Sequence, residues 1–276
     1  MSHPQIAIFA RLADGNAAPV RSIAGQNALL ARSTHGAAYD AVRDKIIIPN
    51  FYTHAIQIYR GDANGDVAPV QIIQGPKTQL DTPDRLTFDP TNNEVFVPQG
   101  DTVLVFDGNA NGDVAPKRIL GPTQPRGLGA SNLAVDAVHN LLVVAGGGGG
   151  GGQGGGGGRF QIFDRTASGN AQPKWVIQGP NTQLIGGTGP MVVLPAKGFI
   201  ISGIRAGGGE LGSPENFVGV WNLFAQGDSP PLYRIGGPKI LLRQVRGVTV
   251  NPNHKELIVT DKRVNAVITY YFPEIF

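Results

Sequence analysis

The sequence predicts an all-β fold, a five-bladed β-propeller, and three observations carry that prediction. The motif Gly-[Asn/Asp]-x-x-Pro occurs five times, beginning at Gly15, Gly65, Gly112, Gly169 and Gly227, with spacings of 50, 47, 57 and 58 residues. A strand-bearing period near fifty is the signature of four-stranded blades repeated around an axis. Each copy follows an apolar stretch ending in an aromatic residue and precedes a short apolar one. Composition agrees: of 276 residues, 40 are Gly and 21 are Pro, and only 16% are charged. That balance suits many short strands joined by turns.

One unit shows the order of elements. Val103-Leu104-Val105-Phe106 has strand character. Residues 107–115 are rich in Asn, Asp and Gly, which form turns and accept positive φ. Lys117-Arg118-Ile119-Leu120 is a short outer strand, stopped by Gly121-Pro122. Leu133-Ala134-Val135-Asp136 is an apolar strand closed by an acid. After a turn at His139-Asn140 comes Leu141-Leu142-Val143-Val144, an unbroken apolar run as expected of a strand covered on both sides. Five further aromatic-ended strands are predicted, ending at Phe9, Tyr59, Phe163, Trp221 and Tyr270. Four further innermost strands end at Asp40, Asp89, Leu194 and Asn251, the last two departing from the acid.

Five inner-strand sets give five blades in one domain, residues 1–276; the alternative is a six-bladed propeller with one incomplete blade. The last blade, from Val248, has three strands by Tyr270. The sequence supplies a fourth at Val20-Arg21-Ser22-Ile23, so the expected closure pairs this N-terminal strand with Val267-Ile268-Thr269-Tyr270 and removes an exposed edge. Residues 1–9 are then surplus. Either they lie along the surface, or they join a neighbouring subunit and make a homo-oligomer.

These strand patterns resemble the NHL-type propeller repeat, in which an innermost strand ending in Asp is followed by an [Ile/Leu]-x-Val strand and an aromatic-ended strand. The resemblance runs along nearly the whole chain. It implies the architecture and leaves activity open, since that family includes ligand-binding, scaffolding and enzymatic members. Leu194 stands where the acid belongs, and the usual Asn-Arg turn after the second strand is missing from most units.

Several functions are excluded or disfavoured. With no cysteine, there is no disulfide, thiolate catalysis or cysteine-held metal. The net charge of +3 arises from scattered Lys and Arg without a run or stripe, so no nucleic-acid partner is expected. No stretch is long and apolar enough for a membrane span. No signal peptide is visible at Met1-Ser2-His3-Pro4-Gln5, which leaves localisation open between the cytoplasm and export with a removed leader. There is no Gly-x-Ser-x-Gly elbow, and no catalytic residue is nominated.

Propeller ligands bind where loops gather at one face. The lead-ins to innermost strands provide His35, Asp84, Arg85, Asn132, Thr188 and Arg246, and the loops after second strands provide His54, Asp101, Arg205 and Asp261. Asn50, Tyr52, Gln99 and Ser131 lie near them in sequence. Two glycine-rich insertions, 145–158 and 206–215, are expected on the same face. The polyglycine tract leads into Arg159-Phe160, a strand start, and lacks the Lys-Ser/Thr and helix of a phosphate loop. No metal site is nominated. Calcium is the one cofactor the loops suggest, through oxygen-bearing residues at alternate positions in 62–66 and 107–113, but neither continues to a bidentate Glu. The reading is a non-enzymatic binding or assembly propeller for a polar small molecule, glycan or protein; the alternative is a lactonase-like hydrolase or lyase with its site at the channel mouth.

Overall fold

The computed structural model describes residues 4–32, 34–122, 127–147, 157–184, 188–204 and 216–276. The chain falls into two compact units, residues 1–97 with 104–117, and residues 98–103 with 118–276. The second sheet contributes strands to both.

The protein is a five-bladed β-propeller, each blade an antiparallel sheet in chain order. Two strands precede the blades, β1 (Ile6–Ile8) and β2 (Arg21–Ile23). The first blade is β3 (Ala38–Asp40), β4 (Lys45–Asn50), β5 (Ala55–Arg60) and β6 (Gln71–Gln74). The second is β7 (Thr87–Asp89), β8 (Glu94–Gln99), β9 (Thr102–Asp107) and β10 (Arg118–Leu120). The third is β11 (Asn132–Asp136), β12 (Leu141–Gly146), β13 (Arg159–Asp164) and β14 (Trp175–Gln178). The fourth is β15 (Thr188–Leu194), β16 (Phe199–Ile204), β17 (Phe217–Asn222) and β18 (Tyr233–Gly236). The fifth has three strands, β19 (Val245–Asn251), β20 (Glu256–Asp261) and β21 (Ala266–Tyr271).

The acid that ends the innermost strand is a turn cap. Asp40 Oδ1 accepts the N–H groups of Val42 and Arg43, Asp89 Oδ1 those of Thr91 and Asn92, and Asp136 Oδ1 those of Val138 and His139. These carboxylates are buried, so the amide bonds replace lost hydration. His139 adds Nδ1 to Asp136 Oδ2 at 2.7 Å, consistent with a structural part in its turn. The departures at Leu194 and Asn251 follow the same logic. Each is followed by a 3-10 turn (Pro195–Lys197, Pro252–His254) closed from the backbone, by Gly198 N–H to Pro195 O and by Lys255 N–H to Pro252 O.

Within the second unit, Phe160, Phe217 and Trp221 pack with Ile162, Ile177 and Ile200 into one buried cluster, and Leu242, Val245, Leu257, Val259 and Ile275 form another. Within the first, Ile23, Ala28, Ile46, Ile48 and Tyr59 pack together.

The expected closure is not what the chain does. β2 pairs with β1, with Ile6 opposite Ile23, Ala7 opposite Ser22 and Ile8 opposite Arg21, and among the described residues β21 pairs only with β20. Residues 6–8 are therefore not surplus. β1 carries the same apolar-to-aromatic pattern as β21, so it competes for the same neighbour and is closer in sequence; the short loop between β1 and β2 costs less entropy to close.

The Gly-[Asn/Asp]-x-x-Pro motif turns out to be a staple between successive sheets. Gly65, Gly112, Gly169 and Gly227 each make a parallel bridge, to Ile23, Ile73, Leu120 and Ile177 respectively, on the outermost strand before them. The Gly227 N–H donates to Val176 O at 2.8 Å and Gly227 O accepts from Gln178 N at 2.9 Å. The next residue in the motif then caps the turn following that strand. Asp66 Oδ1 accepts from the Asn27 and Ala28 amides, Asp113 Oδ1 from Lys77, and Asp228 Oδ1 from Asn181 and Thr182.

Candidate functional site

The turn from β6 to β7, residues 79–86, gathers polar side chains in the first unit. Gln79 and Thr82 both hold positive φ, at 58° and 47°, which makes the segment bend twice. The Thr82 N–H donates to His54 Nδ1 at 3.2 Å, and Asp81 Oδ1 stands 3.4 Å from the same nitrogen. His54 itself has φ 52°, closing the 3-10 turn Phe51–Thr53 and turning the ring toward this segment.

His35 Nδ1 is in direct contact with Asp84 Oδ1, and both side chains are 42% exposed. Asp84 Oδ2 lies 3.7 Å from Arg85 Nε, and Arg85 is largely buried. Gly36 fits tightly against this segment: a Cβ there would be 3.3 Å from Arg85 Cα. The Arg32 guanidinium sits 5.7 Å from the centre of the Tyr52 ring, and Tyr52 packs edge-on against Phe51 at 5.2 Å. Three short segments, 32–36, 51–54 and 81–85, thus hold two histidine–carboxylate pairs, a cation on an aromatic face and a half-exposed tyrosine.

The expected site residues His35, His54, Asp84 and Arg85 belong to this cluster. Asp81 and Arg32 were not singled out by sequence; Asp81, three residues before Asp84 on the same lead-in, was the available signal. The remaining candidates belong to the second unit. Asp101 is an exposed turn residue between β8 and β9, close to Gly127. Asn132 is buried at the start of β11, opposite Ala145. Thr188 begins β15 opposite Ile204, and Arg246 is a half-buried member of β19. Asp261 is buried at the end of β20 and engages four backbone amides: Oδ2 takes Arg243 and Gln244, each at 2.6 Å, and Oδ1 takes Arg263 and Val264. Asn50 is also buried, donating to Leu29 O at 3.0 Å and Gln57 Oε1 at 3.1 Å. Arg205 and the cores of both glycine-rich insertions, 148–156 and 205–215, lie outside the described residues.

The loops that suggested calcium use their oxygens separately. Asp62 pairs with Arg60, which holds its carboxyl below the usual range; Asn64 Oδ1 accepts from Ser22 N, and Asp66 caps the Asn27 turn. In the second loop, Asn111 Oδ1 accepts from Ile72 N and Asp113 from Lys77 N. Oxygens aimed at different amides do not converge on one cation. Among the described residues, no three His, Asp or Glu side chains are grouped as metal ligands, and no helix is long and apolar enough to cross a membrane.

No protein-family model matches the chain, and no curated protein matches its sequence. Its fold is similar to β-propeller proteins in two solved structures. A chain in the crystal structure of the mitotic checkpoint complex aligns at TM-score 0.57 and 13% identity, over 91% of this chain and 64% of that one. A chain in the nidogen/laminin complex aligns at TM-score 0.57 and 15% identity, over 86% and 74%. This chain thus spans less than two thirds of the first neighbour's length, and at these identities the likeness shows the fold, a β-propeller.

Proposed function

We propose that the chain is a non-enzymatic binding propeller, one domain over residues 1–276, whose cluster of His35, His54, Asp81, Asp84, Arg85, Arg32 and Tyr52 receives a polar segment of a protein partner. The observation that carries this reading is the pair of exposed histidine–carboxylate contacts beside a half-exposed Tyr52. Imidazole, carboxylate and guanidinium groups offer donors and acceptors, and tyrosine supplies rigid contact area. Both neighbours come from protein complexes, which supports a partner of this class. The NHL-type resemblance of the repeat agrees with a scaffolding role. Glycans present related hydroxyl chemistry and form the competing ligand class.

The test is a paired binding survey, an immobilised-peptide library and a glycan array, with the wild-type chain and the double variant His35→Ala/Asp84→Ala. Peptide binding that the variant loses while its circular dichroism is unchanged supports the reading. Glycan binding lost in the same way would replace the protein partner with a sugar. Binding that the variant retains would move the site away from this cluster.

A further inference from the structure

The fifth blade offers an incomplete copy of the staple that joins the other sheets. In three complete copies a carboxylate follows the third-strand aromatic by seven residues: Tyr59 and Asp66, Phe106 and Asp113, Trp221 and Asp228. That carboxylate sits against a glycine of positive φ (Gly25, Gly75 and Gly179, at 127°, 131° and 145°) and takes the amides two or three residues on. The corresponding turn after β18 is Gly237-Pro238-Lys239-Ile240, with Gly237 at φ 119° and, among the described residues, nothing within 4 Å of where its Cβ would stand, the place the carboxylate fills in the other copies.

A second observation agrees. In the first and fourth blades the third-strand aromatic is tied to the same turn: Tyr59 OH donates to Ala28 O, and Trp221 Nε1 to Thr182 O at 3.0 Å. Tyr270 is the equivalent aromatic and Ile240 the equivalent turn residue, yet among the described residues the buried Tyr270 hydroxyl has no hydrogen-bond partner. Between them lies an open cleft of about 570 Å³ lined by residues 236–241, Ile268 and Tyr270. On the same strand, Val267 is 58% and Tyr271 72% exposed.

We propose that this edge and cleft receive residues 10–23 of a second copy of the chain: its β2 strand beside β21, and its Gly15-Asn16-Ala17-Ala18-Pro19 loop over Gly237. The match is specific in register. Each third strand already paired with a fourth accepts one amide in the same way, Val70 to Ile58, Lys117 to Val105, Lys174 to Ile162 and Leu232 to Val220, and Val20 does so to Ile8. By the repeat, Ile8 corresponds to Thr269, which puts Val20 opposite Thr269 O, with Ile23 beside Val267. Asn16 follows Phe9 by seven residues and brings its amide oxygen to the Lys239 and Ile240 N–H groups. Within its own chain β2 is already bound on one side by β1 and on the other by Gly65. A second copy's β21, six residues long, therefore replaces the three-residue β1, a strand exchange between like elements.

The experiment compares molecular mass by light scattering across a dilution series for the full chain, a chain lacking residues 1–9, and each of these carrying Thr269→Pro. The Thr269 amide points outward on this register, so proline removes an edge donor while leaving the pairing with β20. Deleting the competitor β1 is expected to tighten association by about tenfold or more, with Asn16→Asp tightening it further. Thr269→Pro should return both chains to monomers with unchanged circular dichroism; Val267→Lys, which places a charge on the same edge, gives the same result should the proline variant not fold. Deletion of residues 1–9 that yields only monomers overturns the proposal, and a raised Tm in that monomer would assign the edge to the chain's own β2. Association that survives both edge variants overturns it equally.

Discussion

Asp228 Oδ1 accepts the backbone N–H of Asn181 at 2.7 Å, while its Oδ2 accepts the Asn181 side-chain amide at 2.9 Å. A residue from the loop of the fourth blade thereby fixes the turn that leaves the third. Asp228→Ala removes both bonds and a further one from Thr182, and is expected to destabilise by ~1–3 kcal/mol, since bonds to a charged acceptor are stronger than neutral ones. Urea unfolding at neutral pH reads it directly. Asp228→Asn should cost less, because Asn170 and Asn16 show that an amide is acceptable at this position of the motif.

Gly179 is the other half of that contact. It holds φ 145°, a region nearly closed to residues with a Cβ, and a Cβ there would fall on the Asp228 carboxyl group. Gly179→Ala is expected to cost ~2–4 kcal/mol, from backbone strain of ~1–3 kcal/mol plus displacement of Asp228. The two substitutions share one contact, so the double variant should lose less than the sum of the singles. Additive losses in a double-mutant cycle would show that the carboxylate moves aside freely.

Trp221 is fully buried, lies 5.3 Å from Phe160 and 6.3 Å from Phe217 between ring centres, and donates Nε1–H to Thr182 O. Trp221→Phe keeps most of the volume but strands a buried carbonyl, so a loss of ~1–3 kcal/mol is expected. Trp221→Ala should cost ~3–5 kcal/mol through the cavity it leaves. Thermal unfolding followed by far-ultraviolet circular dichroism distinguishes them.

Asp164 has its carboxyl held below the usual range, first by the Thr166 hydroxyl, whose Oγ1 donates at 2.6 Å, and then by the Thr166 amide. A carboxyl lowered in the folded state stabilises the fold above the ordinary carboxylate range, and that stabilisation disappears as pH falls and Asp164 takes up a proton. Thr166→Ala should therefore lower stability at pH 7 and converge with wild type in strong acid. Urea midpoints measured across the acid range check the sign; a gap that widened in acid would reverse the assignment.

The candidate site was legible in part. His35, His54, Asp84 and Arg85 were visible because blade lead-ins recur at fixed places in the repeat. Asp261 occupied an equally promising position, but its partners are amides of residues 243 and 244 and of 263 and 264, and no spacing rule announces which carboxylates are capped from the backbone. Arg32 and Asp81 were missed because their significance is the neighbour each meets, not a pattern of their own.

Local pattern alone defines the blade: alternating and continuous apolar runs set strand identity through periodicity, and the five innermost-strand segments, ending at Asp40, Asp89, Asp136, Leu194 and Asn251, set the number of blades. Tertiary structure alone decided the partner of β2. Val267–Tyr270 and Ile6–Phe9 carry the same pattern, so either can flank Arg21–Ile23. Periodicity ranks strands by kind, while the choice between two like neighbours depends on the entropy of closing the connecting chain and on which edge is already occupied.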